Sequence, residues 1–522
     1  MSACSDNDSD HPIGGEVIEE KDVTANLQLQ IQIGGGSALK SLKDGTLNGD
    51  NNPDENKITK LTFFVIDLDQ NGDLNWNKVR HASIAAPASL QTGTALSEDI
   101  TVRIRTSVGK KHIFVGANMS VAQINSFCTN KGIYTSLADT YHDVVRDFTD
   151  FSGMGMVMFG QMEAAGSPII EIVGEYPIEN PFDTSVALER VVSKVALTYT
   201  ADPGNSNHAK LHPGIDGFID ADSIYFMLNT TSKSIDFIKK ATPSYRYKMS
   251  DYLEVNTNYY TLYSYKKDPT DDFMMYTPKG IVYGPSGTTY NTAEIKMPND
   301  ISPGDDNPYH KGLSEYDPSL TPNHKHYGSS LYCLENTVEY DLSLPDPDDK
   351  LEQVRQGINT RVIVAAKYVP NIIWHYNGSG NVYQVPINSH VDLQNITKDN
   401  GDTNGEYTFY AVLITPAAPS VPAEYEYYTY AAKEHILANP DPNDPKDFIT
   451  YKGGYGYYAT FVTQGKDATE DENYNLERNT YYILNVEQFV PPGAVYPQQV
   501  YMLVNSETTE WVTKKEIIVP LD

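Results

Sequence analysis

The residues best placed to do chemistry in this 522-residue chain lie in one acidic loop. Asp67, Asp69, Asn71, Gly72 and Leu74 match positions 1, 3, 5, 6 and 8 of a calcium loop, in which oxygen ligands surround a glycine turn. Position 12 of such a loop supplies a bidentate Glu, and here it is Lys78, with no helical pattern on either flank. The segment from Asp67 to Asn75 therefore reads as a hairpin turn signalled by Asn71-Gly72, ahead of a weak cation site. His324, His326 and Cys333 carry softer ligand atoms, but their spacing fits no common zinc pattern, which favours solvated histidines. The sequence holds no Gly-x-Ser-x-Gly elbow, phosphate-binding loop, dinucleotide fingerprint or HExxH. Residue chemistry predicts a non-catalytic protein with no metal and no cofactor.

Composition narrows the class further. Lys plus Arg number 39 and Asp plus Glu 69, a net charge of −30 that repels nucleic acid and anionic headgroups. Hydrophobic residues make up 40% and include 38 Tyr and 16 Phe, enough for packed cores and unlike an acidic disordered chain. At roughly 150 residues per domain the length calls for two or more domains. With 36 Gly and 31 Pro punctuating the chain and few helical periodicities, the expected class is all-β. Cys4, Cys128 and Cys333 are too dispersed for a disulfide framework, and no apolar run approaches the roughly 18 residues of a membrane helix.

The clearest element is residues 23–33, where Leu27, Leu29, Ile31 and Ile33 alternate with Gln28, Gln30 and Gln32. Period-two alternation puts four aliphatics on one strand face and amides on the other. Gly34-Gly35-Gly36-Ser37 follows and ends the strand in a loop open to cleavage. A second strand is expected at Ile58–Ile66, two more around Gly109 within 99–116, and a helix over Ser136–Phe148 from the spacing of Leu137, Tyr141, Val144 and Phe148. Pro181 and its polar neighbours suggest a boundary at 185/186, with a strand at Arg190–Tyr199 opening the second domain. Further strands are readable near 224–228, 338–342, 360–368, 407–414, 456–463, 480–486 and 500–504. The tyrosine-rich stretches Tyr425–Tyr430 and Tyr451–Tyr458 fit ordinary strand packing, with sugar stacking as the alternative.

Ser2-Ala3 before Cys4, with Ser and Asp after it, resembles the end of a bacterial lipobox and the export tether of Bacteroidetes lipoproteins. The resemblance implies that Cys4 is lipidated and that residues 1–22 are a tether at the outer membrane, where durable anchoring takes more than one acyl chain. Thr24–Ile33 with its glycine run, Lys57–Thr62, Arg190–Leu197, Leu331–Thr337, Thr360–Pro370, Arg478–Leu484 and the terminal Val504-Asn505 with Trp511 occur in an order similar to the fimbrillins of Bacteroidales. They look most like the major pilin of the short fimbriae, a type V pilus.

That resemblance implies two transthyretin-like β-sandwich domains, 23–185 and 186–522, with a few short helices in loops. It implies a structural pilus subunit of the cell-surface fimbrium, used in adhesion and biofilm formation. In such pilins a protease removes the N-terminal strand, and the C-terminal strand of another subunit replaces it. Here the removable strand would be 23–33 and the donor would lie in 498–522, with Val500, Met502, Val504, Trp511, Ile517 and Val519 at strand spacing. An ordinary terminal hairpin is the alternative for that segment. Relatives carry an Arg at the cut, whereas this loop offers Lys40 and Lys43, either processing sites or plain solvated charges. The partners implied are other fimbrial subunits, a maturation protease and a surface receptor. The competing readings are an anchor or tip subunit, or a non-polymerising surface adhesin or glycan-binding lipoprotein.

Overall fold

The computed structural model describes residues 22–33, 53–138, 140–151, 153–239, 246–248, short pieces between 253 and 319, and residues 330–339, 358–397, 407–417, 421–463, 474–495 and 502–510. These residues form an all-β protein with short helices in its connections. The first sheet contains β1 (Val23–Ile33), β2 (Lys60–Leu68), β3 (Leu74–Ala85), β4 (Ser97–Thr106), β5 (Gly109–Ala117), β6 (Met158–Glu163), β7 (Ile170–Ile172) and β8 (Phe182–Arg190). Its order is β3-β2-β5-β6-β8-β1-β4, with β7 on β5.

This sheet folds over on itself at β6, which pairs with β5 through Met158–Gln161 and with β8 through Met158–Glu163. Leu27, Leu29, Ile31 and Ile33 of β1 thereby join Phe63, Phe64, Ile113 and Val115 of β2 and β5 in one core, the two-layer arrangement of a β-sandwich. Gly160 permits the fold-over, because a Cβ there would lie 2.1 Å from the Ala187 carbonyl oxygen.

The second half is built around β9 (Val192–Tyr199), β10 (Tyr225–Asn229), β11 (Ser330–Leu334), β12 (Arg361–Val369), β13 (Ile372–His375), β14 (Tyr383–Pro386), β15 (Phe409–Thr415), β16 (Glu424–Tyr428), β17 (Ile449–Tyr451), β18 (Tyr455–Phe461), β19 (Thr480–Phe489) and β20 (Met502–Glu510). One sheet joins β9, β11, β19 and β20, and a second joins β10, β12 and β18, each completed by short flanking pieces. They share a second core. Every residue of β9 is buried: Val192 and Ala196 face the first core, while Val195, Leu197 and Tyr199 face the second. A strand covered on both faces reads as a continuous apolar run rather than an alternation. A third sheet, ordered β14-β13-β16-β15-β17, is inserted between β12 and β18 and packs Phe409, Ala411 and Tyr451 onto the second core.

Two expectations from the sequence change. β8 runs through the expected boundary at 185/186 and stays in the first sheet to Arg190, so the chain passes to the second sheet at Val191. The helix expected over Ser136–Phe148 is confined to Tyr141–Arg146; Tyr141, Val144 and Phe148 are buried, but Leu137 is 93% exposed in the preceding loop. Thr140 starts that helix by accepting the Asp143 N–H on its side chain, which excludes Leu137 from the helical face. A helix not anticipated, Val121–Thr129, opens on a Ser120–Gln123 capping box, a signal that is present in the sequence.

Candidate functional site

The strand singled out by its alternation is an interior strand of the first sheet. β1 runs antiparallel to β4, with Leu27 opposite Val102 and Leu29 opposite Ile100, and parallel to β8, with Leu27 opposite Phe182 and Ile31 opposite Val186. Ala25, Leu27, Leu29 and Ile31 are fully buried and Ile33 is 1% exposed. Burying the four aliphatics contributes on the order of 6–12 kcal/mol at 1.5–3 kcal/mol each. Side chains add to the ladders: Asn26 donates its amide to the Tyr176 carbonyl at 2.7 Å, and Thr184 donates its hydroxyl to the Gln28 carbonyl at 3.3 Å.

Among the described residues β4 pairs with no strand but β1. Withdrawal of β1 would expose an apolar trough, open the edge of β8 and leave β4 without a sheet partner. The trough fits an extended chain with apolar side chains at every second position, supplied by β-augmentation.

After β1 the next described element is Pro53–Glu55, and it is pinned by a buried polar cluster. The fully buried Arg190 donates Nε to the Glu55 carbonyl at 3.1 Å, Nη1 to Asn479 Oδ1 at 3.2 Å and Nη2 to Asn56 Oδ1. The Glu55 carboxylate, 1% exposed, takes the Lys194 ammonium at 2.9 Å and the Tyr332 hydroxyl at 2.5 Å. Arg478 holds Glu335 at 2.5 Å and the carbonyls of Asp236 and Phe237 in the same manner. These groups tie residues 53–56 of the first half to β9, β11 and the start of β19 in the second. Sequence reasoning missed them, although Arg190 and Lys194 amid the apolar residues of 190–197 are the trace of buried polar partners.

The remaining candidates have ordinary structural roles. The Asp67–Asn75 segment is the β2–β3 hairpin: Asp69 Oδ1 accepts the N–H groups of Asn71 and Asp73 at 2.8 and 2.9 Å, and Gly72 sits at φ 86°. Asp67 is engaged by the buried Lys111 ammonium. Cys333 is buried in the second core, where burial pushes its thiol pKa up, and Cys128 packs against the first core. Tyr428, Tyr451, Tyr455, Tyr457 and Tyr458 are buried and pack the interior, whereas Tyr425 and Tyr427 are half-buried and Tyr430 is exposed. Cys4, Lys40, Lys43, His324, His326, Val500, Trp511, Ile517 and Val519 lie outside the described residues. Met502 and Val504 belong to β20, which pairs antiparallel with β19 of its own chain, the terminal-hairpin arrangement.

Four imidazoles are held below their ordinary pKa of 6.5. Burial does this at His81, His112 and His310; at His390, burial outweighs the opposing Asp220 carboxylate. The folded state therefore binds fewer protons, so this contribution to stability is complete above 6.5 and is lost as pH falls through the lower folded values. We expect the unfolding midpoint to drop between about pH 7 and pH 5, with a shallower slope in His390→Gln. A midpoint that rises on acidification would contradict this assignment.

No protein-family model and no curated protein sequence matches this chain. Solved structures do. A protein described as a cell adhesion protein from Parabacteroides distasonis aligns over 94% of this chain and 100% of its own, with 13% identity and a TM-score of 0.43. A fimbrilin from Porphyromonas gingivalis aligns over 94% and 99%, with 15% identity and a TM-score of 0.41. The C-terminally truncated tip fimbrial protein Mfa3 of the same species aligns over 94% and 100%, with 13% identity and a TM-score of 0.34. These structural neighbours, at low sequence identity, are fimbrial and cell adhesion proteins of the Bacteroidales, the group whose fimbrillins the sequence motifs resemble.

Proposed function

We propose that this chain is a structural subunit of a cell-surface fimbrium that polymerises by strand exchange. The observation that carries the reading is β1, an interior strand whose apolar face is buried and which, among the described residues, is the sole strand partner of β4. A strand so placed is a plug: while present it completes the sheet, and its departure creates an acceptor for a strand of matching alternation. In this reading the chain is exported as a lipoprotein through Cys4, a protease cuts after Lys40 or Lys43, and the segment 498–522 of another copy fills the trough. Adhesion and biofilm contact follow from the filament that results.

The test is limited trypsin digestion of the full chain, followed by N-terminal sequencing and by comparison of heated and unheated gels. The expected result is cleavage at Lys40 or Lys43 and SDS-resistant ladders that collapse on heating. A loop that resists cleavage, or a cut chain that stays monomeric, would overturn the reading.

A further inference from the structure

The strand β4 beside the β1 trough carries opposite charge at its two ends, and this polarity bears on what refills the trough. Asp22, just ahead of β1, pairs with Arg80 of β3 at 2.6 Å and with Arg105 of β4 at 3.6 Å. β3 and β4 are the two ends of the sheet order, so the Asp22 carboxylate stands where the folded-over sheet brings its edges together. Arg103 shares the outward face of β4 with Arg105. At the other end of the trough, where Gln30 and Ile31 pair with β4, their partners are Asp99 and Glu98. Along β4, then, the stretch beside Val23 carries Arg103 and Arg105 and the stretch beside Ile31 carries Glu98 and Asp99.

We infer that Arg80 and Arg105 form a carboxylate socket that sets the register and direction of the replacing strand, and that its occupant is Glu507 from the C-terminal segment of a second copy of this chain. This inference rests on the strand-exchange reading. If Asp22 departs with β1, both guanidinium groups lose their carboxylate, and a strand that restores one at the same offset is favoured over other registers. Asp22 precedes the buried Ala25, Leu27 and Leu29 by three, five and seven residues. Glu507 follows Val504, Met502 and Val500 by three, five and seven residues.

Of the acidic residues of 498–522, Glu507 alone finds apolar residues at all three offsets: Asp522 meets Val519 and Ile517 but then Lys515, and Glu516 finds only Val519 and Leu521. Counting backward from Glu510 places Glu507 at the first apolar position, and counting forward places Lys515 at the second. The match of Glu507 runs against the chain direction of β1, so the incoming strand lies antiparallel to β8 and parallel to β4. Charge at the mouth of the trough chooses among registers, while the apolar face supplies the affinity.

The experiment uses the full chain nicked by trypsin, titrated with a fluorescent synthetic peptide of residues 498–510 and with the same peptide carrying Glu507→Gln. The native peptide is expected to bind about three- to tenfold tighter, a preference that shrinks at high salt, and the nicked Arg80→Gln/Arg105→Gln chain is expected to bind both peptides equally. If the nicked wild-type chain binds both peptides equally, strand exchange stands and the socket is overturned. If it binds neither, the strand-exchange reading fails, and the socket with it.

Discussion

Replacing Leu29 by aspartate is expected to cost the first sandwich roughly 5 kcal/mol or more, a large part of the 5–15 kcal/mol that a domain usually holds. Leu29 is fully buried, with Ile100 on one flanking strand and Thr184 on the other. The substitution removes about 1.5–3 kcal/mol of apolar burial and adds a carboxylate with no cation opposite it, worth several kcal/mol more. Gln30→Asp, one residue on and facing outward, is expected to cost under about 1 kcal/mol. Denaturant unfolding followed by the fluorescence of Trp76, which packs edge-on against Phe127 in the first core, separates the two variants. Equal, small shifts for both would show that β1 is not the structural keystone of this sheet.

The second large effect is expected at Glu55. Its carboxylate neutralises Lys194, whose side chain is 6% exposed, and accepts the Tyr332 hydroxyl. Glu55→Ala takes the carboxylate away from a buried ammonium and is expected to cost about 3–5 kcal/mol. Adding Lys194→Met to that variant is expected to recover a substantial part of the loss, because the unmatched charge disappears with its partner. A double-mutant cycle in urea measures the coupling, and additive losses would contradict it. The position of this cluster matters for assembly. In the strand-exchange reading a cut at Lys40 or Lys43 lies ahead of residues 53–56, so the chain after the cut stays pinned while β1 is held to the remainder by non-covalent contacts: its packing, its strand ladders, and the ion pairs and hydrogen bonds of Asp22, Asn26 and Gln28.

What the sequence revealed followed from simple periodicity at exposed-edge or one-face-buried strands. The alternation of Leu27, Leu29, Ile31 and Ile33 located both β1 and its buried face, and Gly109, at φ 118°, located the β4–β5 turn. Legibility failed where burial is decided at long range. β9 is covered on both faces, so its residues give no alternation, and Arg190 and Lys194 find their partners at Glu55, Asn56 and Asn479, far away in sequence. The third sheet was readable as strands at 407–414 but not as a layer, because no local pattern says which strands share a sheet. Leu137 fitted a helical period that the Thr140 cap cuts short. The buried face of β1 was legible because its alternation also defines the surface it covers; the charge beside it was not, because Asp22, Arg80 and Arg105 meet only after the sheet folds over.

In the strand-exchange reading β1 must leave before the chain can polymerise. Gln30 and Asp99 face each other across the β1–β4 ladder and both are exposed, so a disulfide in Gln30→Cys/Asp99→Cys would fasten β1 in its trough. The measurement is the extent of SDS-resistant ladder formation by this variant after trypsin cleavage, under oxidising and then reducing conditions. The expected result is that the oxidised variant is cut but stays monomeric, and that reduction restores ladders to the wild-type level. Ladders formed equally well with the disulfide intact would contradict it.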